Sequence, residues 1–362
     1  SLSLSASRFC ELQRRANKMC ALSFASTILL FLLLLSHATA APIYWRDLSG
    51  CGTDRGVHKE TGYPTELLNL VWDRYARPRR RTGIVDAFRT HGEFTKYADI
   101  GIDATVAIML YVALWYIHTH PVLSVIGQRD FRDFGRVTEQ KFYSMVVPVL
   151  IAFASEVDEI HDNDRYHPRN HGTGLFAQYI SCFVDTAPVY VVEPDDEQLT
   201  EKLMQPKYGE CVYKFQVAVN HLGWICCYTG LHYGTTPDNV IYDETYHLHP
   251  LKSWEFWCGD GIYNSCYGVL TRFRLVAKGV FTRLEVFMNS YINHYRQRVE
   301  HVMHTIKDHA MWSGKKLKCS YAMIYWSMRL TVHLTNIKIK HGWADEAYHK
   351  YPGFYREWPA GP

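Results

Sequence analysis

The stretch from Asn293 to Lys307 constrains this chain more than any other, because its residues sort cleanly onto two faces of one helix. Tyr295, Val299, Val302, Met303 and Ile306 make an apolar stripe fit to face a core. Asn293, Arg296, Glu300, His304 and Lys307 recur at steps of three and four along a different face. That face holds one carboxylate among groups that favour anions. Taken alone, such a glutamate is an ordinary surface ion pair worth little.

Two aspartates upstream change its meaning. Asp185 closes the run Tyr179-Ile180-Ser181-Cys182-Phe183-Val184, and Asp260 closes Trp254-Glu255-Phe256-Trp257-Cys258-Gly259. Both runs are short, rich in β-branched or aromatic residues, and predict strands that end at the carboxylate. An aspartate after a strand is often only a turn residue. Two strand ends and a helix are also a way to bring three carboxylates together from distant sequence. Magnesium asks for such a site: it is hard, takes oxygen ligands and needs only a few carboxylates. Two ions roughly 3.5–4 Å apart can activate an attacking oxygen and stabilise a leaving one in phosphodiester displacement.

An ordered series of segments resembles the DDE endonuclease domain of PIF/Harbinger-type transposases. Phe183-Val184-Asp185-Thr186-Ala187-Pro188-Val189 looks like the first-aspartate segment. Lys207-Tyr208, the run Lys214 to Gly223, and Gly234-Thr235-Thr236-Pro237-Asp238-Asn239 follow, the last like the family's Gly-Ser-x-x-Asp-Ser turn. Gly259-Asp260-Gly261-Ile262-Tyr263 resembles the second-aspartate segment, and Asn293–Lys307 the Arg-x-x-Val-Glu helix, with Arg296, Val299, Glu300 and Lys307 in place. The resemblance covers residues 60–340. It departs from the family at Thr186-Ala187, where Gly-Thr is common, and in a Pro/Lys-rich stretch of which Lys278 is the remnant.

The resemblance implies an α+β or α/β architecture: a helical N-terminal region over 60–155, then a ribonuclease H-like mixed-sheet catalytic domain over 178–340. It implies catalysis and metal binding by Asp185, Asp260 and Glu300, with two Mg2+ or Mn2+ ions. Water activated there would cut the phosphodiester and free a 3′-hydroxyl, which could then attack target DNA. Arg296, Arg298 and Lys307 are expected to contact DNA. Asp238 either reaches the metal's outer shell or caps the next helix as a turn residue. The implied partners are transposon terminal repeats and target DNA, a Myb-like accessory protein and a second copy of the chain, in the nucleus. The rival reading is a transposase-derived DNA-binding or scaffold protein that has lost turnover.

In the helical region, Thr65–Ala76 follows Pro64 and buries Leu67, Leu68, Val71 and Trp72. A helix capped by Asp103 runs to His118 and is apolar almost all round, as a core helix is. Val122–Phe134, the turn at Gly135, and a helix from Glu139 capped by Thr138 suggest either a helix-turn-helix, with Lys141 exposed towards DNA, or a plain helical bundle. Pro148 predicts a kink, and 156–165 reads as an inter-domain loop. Strands are expected at 212–219 and 224–231, joined at Leu222-Gly223, and again at 270–277. Residues 315–339 predict a final basic helix, and 341–362 a loose tail.

The formal charge of +3 neither demands nor excludes DNA binding. The densest basic cluster, Arg77-Pro78-Arg79-Arg80-Arg81, reads as a solvated linker, a nuclear-import signal or a phosphate contact. The ten cysteines form no CxxC pair, which favours buried thiols over a zinc centre with His247, His249, His301 or His304. Adjacent Cys226 and Cys227 would point to opposite faces of a strand. Residues 1–42 disagree with the rest. Arg14, Arg15 and Lys18, the apolar run Ala21–Leu35 and Ala38-Thr39-Ala40 pattern as a secretory signal, short of the roughly 20 residues a membrane span needs. Either a captured domain is sent to the secretory pathway or a membrane, or the segment lies outside the true reading frame; the many downstream motifs favour the latter.

Overall fold

The structure, a computed structural model, describes Trp45 and residues 53–76, 102–121, 123–128, 130–131, 135–167, 178–274 and 279–343. The signal-like segment, the arginine cluster at 77–81, Lys278 and the tail beyond Trp343 lie outside the described residues.

Helix α1 (Asp54–Thr61) is capped by the Thr53 hydroxyl, which accepts from the Gly56 N–H, and ends at Gly62 in the left-handed region. Gly62 is required twice over, since a Cβ there would also meet His118 and His309 at 2.6 Å. Helix α2 (Thr65–Val71) has Pro64 as its cap and runs into a π turn over Trp72–Ala76. Helix α3 (Ile102–Thr119) is the expected core helix, buried from Val106 to Ile117. It begins at Ile102, so Asp103 sits inside its first turn instead of capping it. Among the described residues no helix is long and apolar enough to cross a membrane.

A helix-turn-helix is not shown. Among the described residues only Leu123–Ile126 is helical (α4) where a first helix was expected, and Asp130–Phe131 (β1) pairs antiparallel with Gly135–Arg136 (β2). The second helix forms as read. It starts at Glu139 with Thr138 as cap, widens to a π turn over Phe142–Val146, and continues as Val147–Glu156; together these make α5. The π turn falls just before Pro148, whose ring and missing N–H disturb the regular ladder.

The sheet is mixed. Its long strands are β3 (Ile180–Tyr190) and β5 (Glu210–Val219), paired antiparallel with Asp185 opposite Val217. On the other side β3 runs parallel to β8 (Phe256–Cys258), which runs parallel to β9 (Val269–Leu270). Strand β6 (Ile225–Tyr228), reached through Gly223 at positive φ, and the short β4 (Met204–Gln205) and β7 (His232–Tyr233) also pair with β5. The order β6-β5-β3-β8-β9 is compatible with a ribonuclease H-like domain. Helix α6 (Glu197–Leu203) precedes β4.

The two faces of the sheet are covered differently. Cys182, Val184, Ala218 and Trp257 pack with Tyr242 of α7 (Asp238–Leu248) and with Tyr263. Phe183, pointing the other way, stacks on Tyr295 of α8 (Arg283–Lys307), ring centroids 5.5 Å apart. A register shift in the β5–β6 pairing beside Cys226 places Cys226 and Cys227 in the same buried cluster, against the simple alternation. The cysteines among the described residues are free.

Helix α9 (Tyr321–Lys340) starts six residues later than the expected basic segment and is buried along most of its length. It joins helices to sheet: Asn336 donates to the Glu159 and Ile225 carbonyls and accepts from the Ile225 N–H at 2.7 Å. The stretch read as an inter-domain loop is therefore packed. Glu159 takes Arg74 and Tyr75, while Arg165 pairs with Glu255 at 3.1 Å, both buried. Helices and sheet accordingly belong to one compact unit.

Candidate active site

The register fixes where the two aspartates stand. Phe183 of β3 is the partner of Cys258 of β8, and Asp185 and Asp260 each lie two residues further along these parallel neighbours. Adjacent strands are ~4.8 Å apart, so the paired ends at Phe183 and Cys258 start the two aspartates from neighbouring points where β8 leaves the sheet. The expected strand end at Asp185 is not observed: β3 continues to Tyr190, and it is the neighbour that stops. Alternation puts Asp185 on the face shared by Phe183, beneath α8.

Asp260 ends β8 by capping a 3-10 turn, Gly261–Tyr263, its Oδ1 accepting from the Gly261 N–H at 2.6 Å. Gly259 is needed for close approach, whereas at Gly261 the neighbour is the flexible end of Arg274. A Cβ on Gly259 would meet the Tyr263 ring at 2.6 Å, and one on Gly261 would meet the Arg274 guanidinium at 2.6 Å. Beneath this turn the buried Tyr263 hydroxyl bonds Thr186 Oγ1 at 2.9 Å and accepts from Gln216 Nε2 at 3.2 Å. Gln216 Oε1 accepts from Thr245. Thr186, the departure from the family's pattern, thus ties β3 to the turn that carries Asp260.

Glu300 comes from α8, whose capping box at Thr282 and Glu285 fixes its start and whose apolar stripe lies on the sheet. Asp185 feels all three neighbours electrostatically. Burial pushes its carboxyl above the usual range; the Thr186 N–H and Arg296 pull it down, while Glu300 and Asp260 push it up. Lys307 also acts on Asp185, and burial lowers its ammonium from the ordinary value.

Each carboxylate is engaged locally. Asp185 Oδ1 accepts from the Thr186 N–H at 2.8 Å, Asp260 from Gly261, and Glu300 from Arg296 at 2.6 Å. Among the described residues no three His, Cys, Asp or Glu side chains converge closely enough to hold a metal, which covers both the three acids and the histidines considered for zinc. The three acids still suit hard cations: all donors are carboxylate oxygens. Glu300 and Asp260 are about half exposed, so their side chains have room to turn.

The other expected site residues divide. Arg296 and Lys307 lie by Asp185. Arg298 does not face DNA: it is buried, its guanidinium over the Tyr295 ring at 5.3 Å, because it falls on the stripe of Tyr291, Tyr295 and Val302. Asp238 opens α7 on the opposite face of the sheet and pairs with the buried Lys214 at 2.9 Å, a helix-start role away from the acids. Lys141 is in the first turn of α5, outside the acidic group. Sequence reading passed over Tyr263 and Gln216, and also Arg272, Phe273 and Arg274; the last three were visible as a basic-aromatic-basic triplet inside an expected strand. Among the described residues that strand is formed only at Val269–Leu270.

The family model described as DDE superfamily endonuclease matches residues 184–336, from one residue before Asp185 into α9. No curated protein and no solved structure matches the chain. The match supports a DDE-type endonuclease domain over that segment, a superfamily that acts on DNA and generally uses divalent metals.

Proposed function

We propose, from a DDE superfamily endonuclease domain over residues 184–336, that this chain cuts DNA by divalent-metal-dependent phosphodiester hydrolysis, as a Harbinger-like transposase does, and can go on to strand transfer. The observation that carries the reading is the matched offset of Asp185 and Asp260 on parallel strands, with Glu300 in electrostatic reach of Asp185.

Asp185, Asp260 and Glu300 would hold the ions, and magnesium or manganese suits such an oxygen set. Two bound cations would supply activation of the attacking oxygen and stabilisation of the leaving one. The chain's own part is positioning. The Tyr263–Thr186–Gln216 network holds β3 and the Asp260 turn together, keeping two carboxylates in fixed register. Arg296 pairs with Glu300 and would have to release it for that carboxylate to reach the ions. Lys307, beside Asp185, offers a cation to a phosphate oxygen. The substrate in this reading is transposon-end DNA, with a Myb-like partner, self-association and nuclear location following from the same resemblance.

A nicking assay on DNA carrying the flanking inverted repeats tests it, with magnesium, manganese or chelator and an Asp260→Ala control. Cleavage that ignores both chelator and substitution removes the mechanism. The Arg296–Glu300 pair favours one second reading, a DNA-binding scaffold without turnover. That reading predicts DNA binding with no divalent-dependent cut.

A further inference from the structure

Beside Asp260 lies a cleft of about 270 Å³, lined by Asp260, Gly261, Arg272, Phe273, Arg274, Asn289 and Asn293. Its outer wall is the segment after β9, which has left the sheet and lies along α8. That segment is held firmly. Asn289 Oδ1 accepts from the Phe273 N–H at 2.7 Å and its Nδ2 donates to the Phe273 carbonyl at 3.1 Å, so one side-chain amide satisfies both backbone groups of Phe273. Arg272 donates to Asn293 Oδ1 at 3.1 Å, one turn further along α8.

The clamp fixes three large exposed side chains. Arg272 reaches towards Asp260, 4.0 Å away, and Arg274 lies over the Gly261 backbone at the same turn. Phe273, 46% exposed, stands between them. A bland reading makes Arg272 the ion-pair partner of Asp260. Their separation is 4.0 Å, with both side chains about half exposed, and such a pair contributes little. Two guanidinium groups against one carboxylate also leave the cleft net positive. A mere ion pair gives no reason to pin an exposed aromatic between two cations.

We propose that this cleft binds the DNA strand next to the scissile bond, with Arg272 and Arg274 on a backbone phosphate and Phe273 stacked on an unpaired base. The proposal rests on the nuclease reading above for its substrate. Alternating cations and aromatic rings are how proteins hold single-stranded DNA without reading sequence. Because Asp260 forms one wall, a phosphate seated here lies next to the bond to be cut. The amide clamp fixes the segment before DNA arrives, so less ordering is left to binding.

The test uses the full chain with chelator present, so that binding is measured without cleavage. Fluorescence anisotropy compares a mixed-sequence duplex bearing a single-stranded 3′ overhang with its blunt counterpart, over a range of salt. Arg272→Gln with Arg274→Gln should weaken overhang binding and reduce the steepness of log K against log salt by about one to two. Phe273→Ala should weaken overhang binding about tenfold and leave the blunt duplex unchanged, and Phe273→Trp should restore it. All three side chains are exposed, so the fold is not at stake. Wild-type affinity and salt slope in these variants would assign the cleft to some other ligand and end the proposal, as would equal losses on both duplexes for Phe273→Ala. Asp260→Asn separates this from the nuclease reading. Overhang binding that depends on Arg272, Phe273 and Arg274 supports the cleft even if the wild-type chain never cuts in magnesium or manganese, a result that would sink the nuclease reading alone.

Discussion

Asp185 and Asp260 stand at the same offset, two residues beyond the Phe183–Cys258 pair, on neighbouring parallel strands of which only one continues. If these carboxylates hold the ions, Asp260→Asn and Asp185→Asn each lower divalent-dependent nicking at least about a hundredfold, since loss even of groups behind a metal ligand costs about 10–100-fold. Asp260 is exposed, so the melting temperature of Asp260→Asn should match wild type.

Asp185 has its folded-state pKa above the ordinary value, mainly through burial. Without metal, its contribution to stability is therefore lost as pH rises through that folded value. Asp185→Asn should remove this part of the pH dependence. Magnesium or manganese should raise the melting temperature of wild type at neutral pH, and the variant should lose that increment.

Arg296 and Glu300 pair one helical turn apart, part-exposed, an interaction worth roughly 0.3–0.5 kcal/mol. Arg296→Gln should therefore tighten manganese binding about twofold, by releasing Glu300, as read by calorimetric titration. Unchanged or weaker affinity would mean that Glu300 does not move to the metal.

Tyr263→Phe deletes a hydroxyl shared by Thr186 and Gln216. Thr186 and Gln216 keep each other as partners, so the lost hydroxyl should cost about 0.5–1.5 kcal/mol in denaturant unfolding. Gly259→Ala should cost about 1–3 kcal/mol through overpacking against Tyr263 and Val184. Both changes should also lower cleavage, because the Asp260 turn rests on Tyr263.

His333 is buried and its Nδ1 accepts from the Glu159 N–H at 2.9 Å, and burial lowers its pKa from 6.5 to about 3. Between these values the unfolded chain binds a proton that the folded chain refuses, so stability falls as pH drops below 6.5. At pH 5 the deficit is roughly 2 kcal/mol. His333→Asn keeps an acceptor and cannot titrate, so its unfolding free energy should fall less between pH 7 and pH 5.

Local pattern was enough to read much of the fold. The stripe of Tyr295, Val299, Val302 and Ile306 needs only helical spacing to be seen, and the runs before Asp185 and Asp260 need only β-branched and aromatic density. Thr138 announced its helix by capping chemistry. The same rules failed where the deciding partner was distant. Val122–Phe134 looked helical throughout, yet among the described residues only Leu123–Ile126 is helical and Asp130–Phe131 pairs with Gly135–Arg136. The stretch 156–165 looked like linker because it is polar; its Glu159 and Arg165 are buried because Arg74, Asn336 and Glu255 reach them from elsewhere in the chain.

By itself, then, the sequence determined the candidate acids, the strand and helix that carry them, and the helix face on which Glu300 sits. Tertiary structure decided that Asp185 is mid-strand, that Asp238 belongs to the other side of the sheet, that Arg298 is spent on the Tyr295 ring, and that Arg272, Phe273 and Arg274 gather beside Asp260. The difference is physical. Periodicity and capping act over a few residues, whereas strand register and the choice of a charge's partner depend on which remote segment fills the facing space.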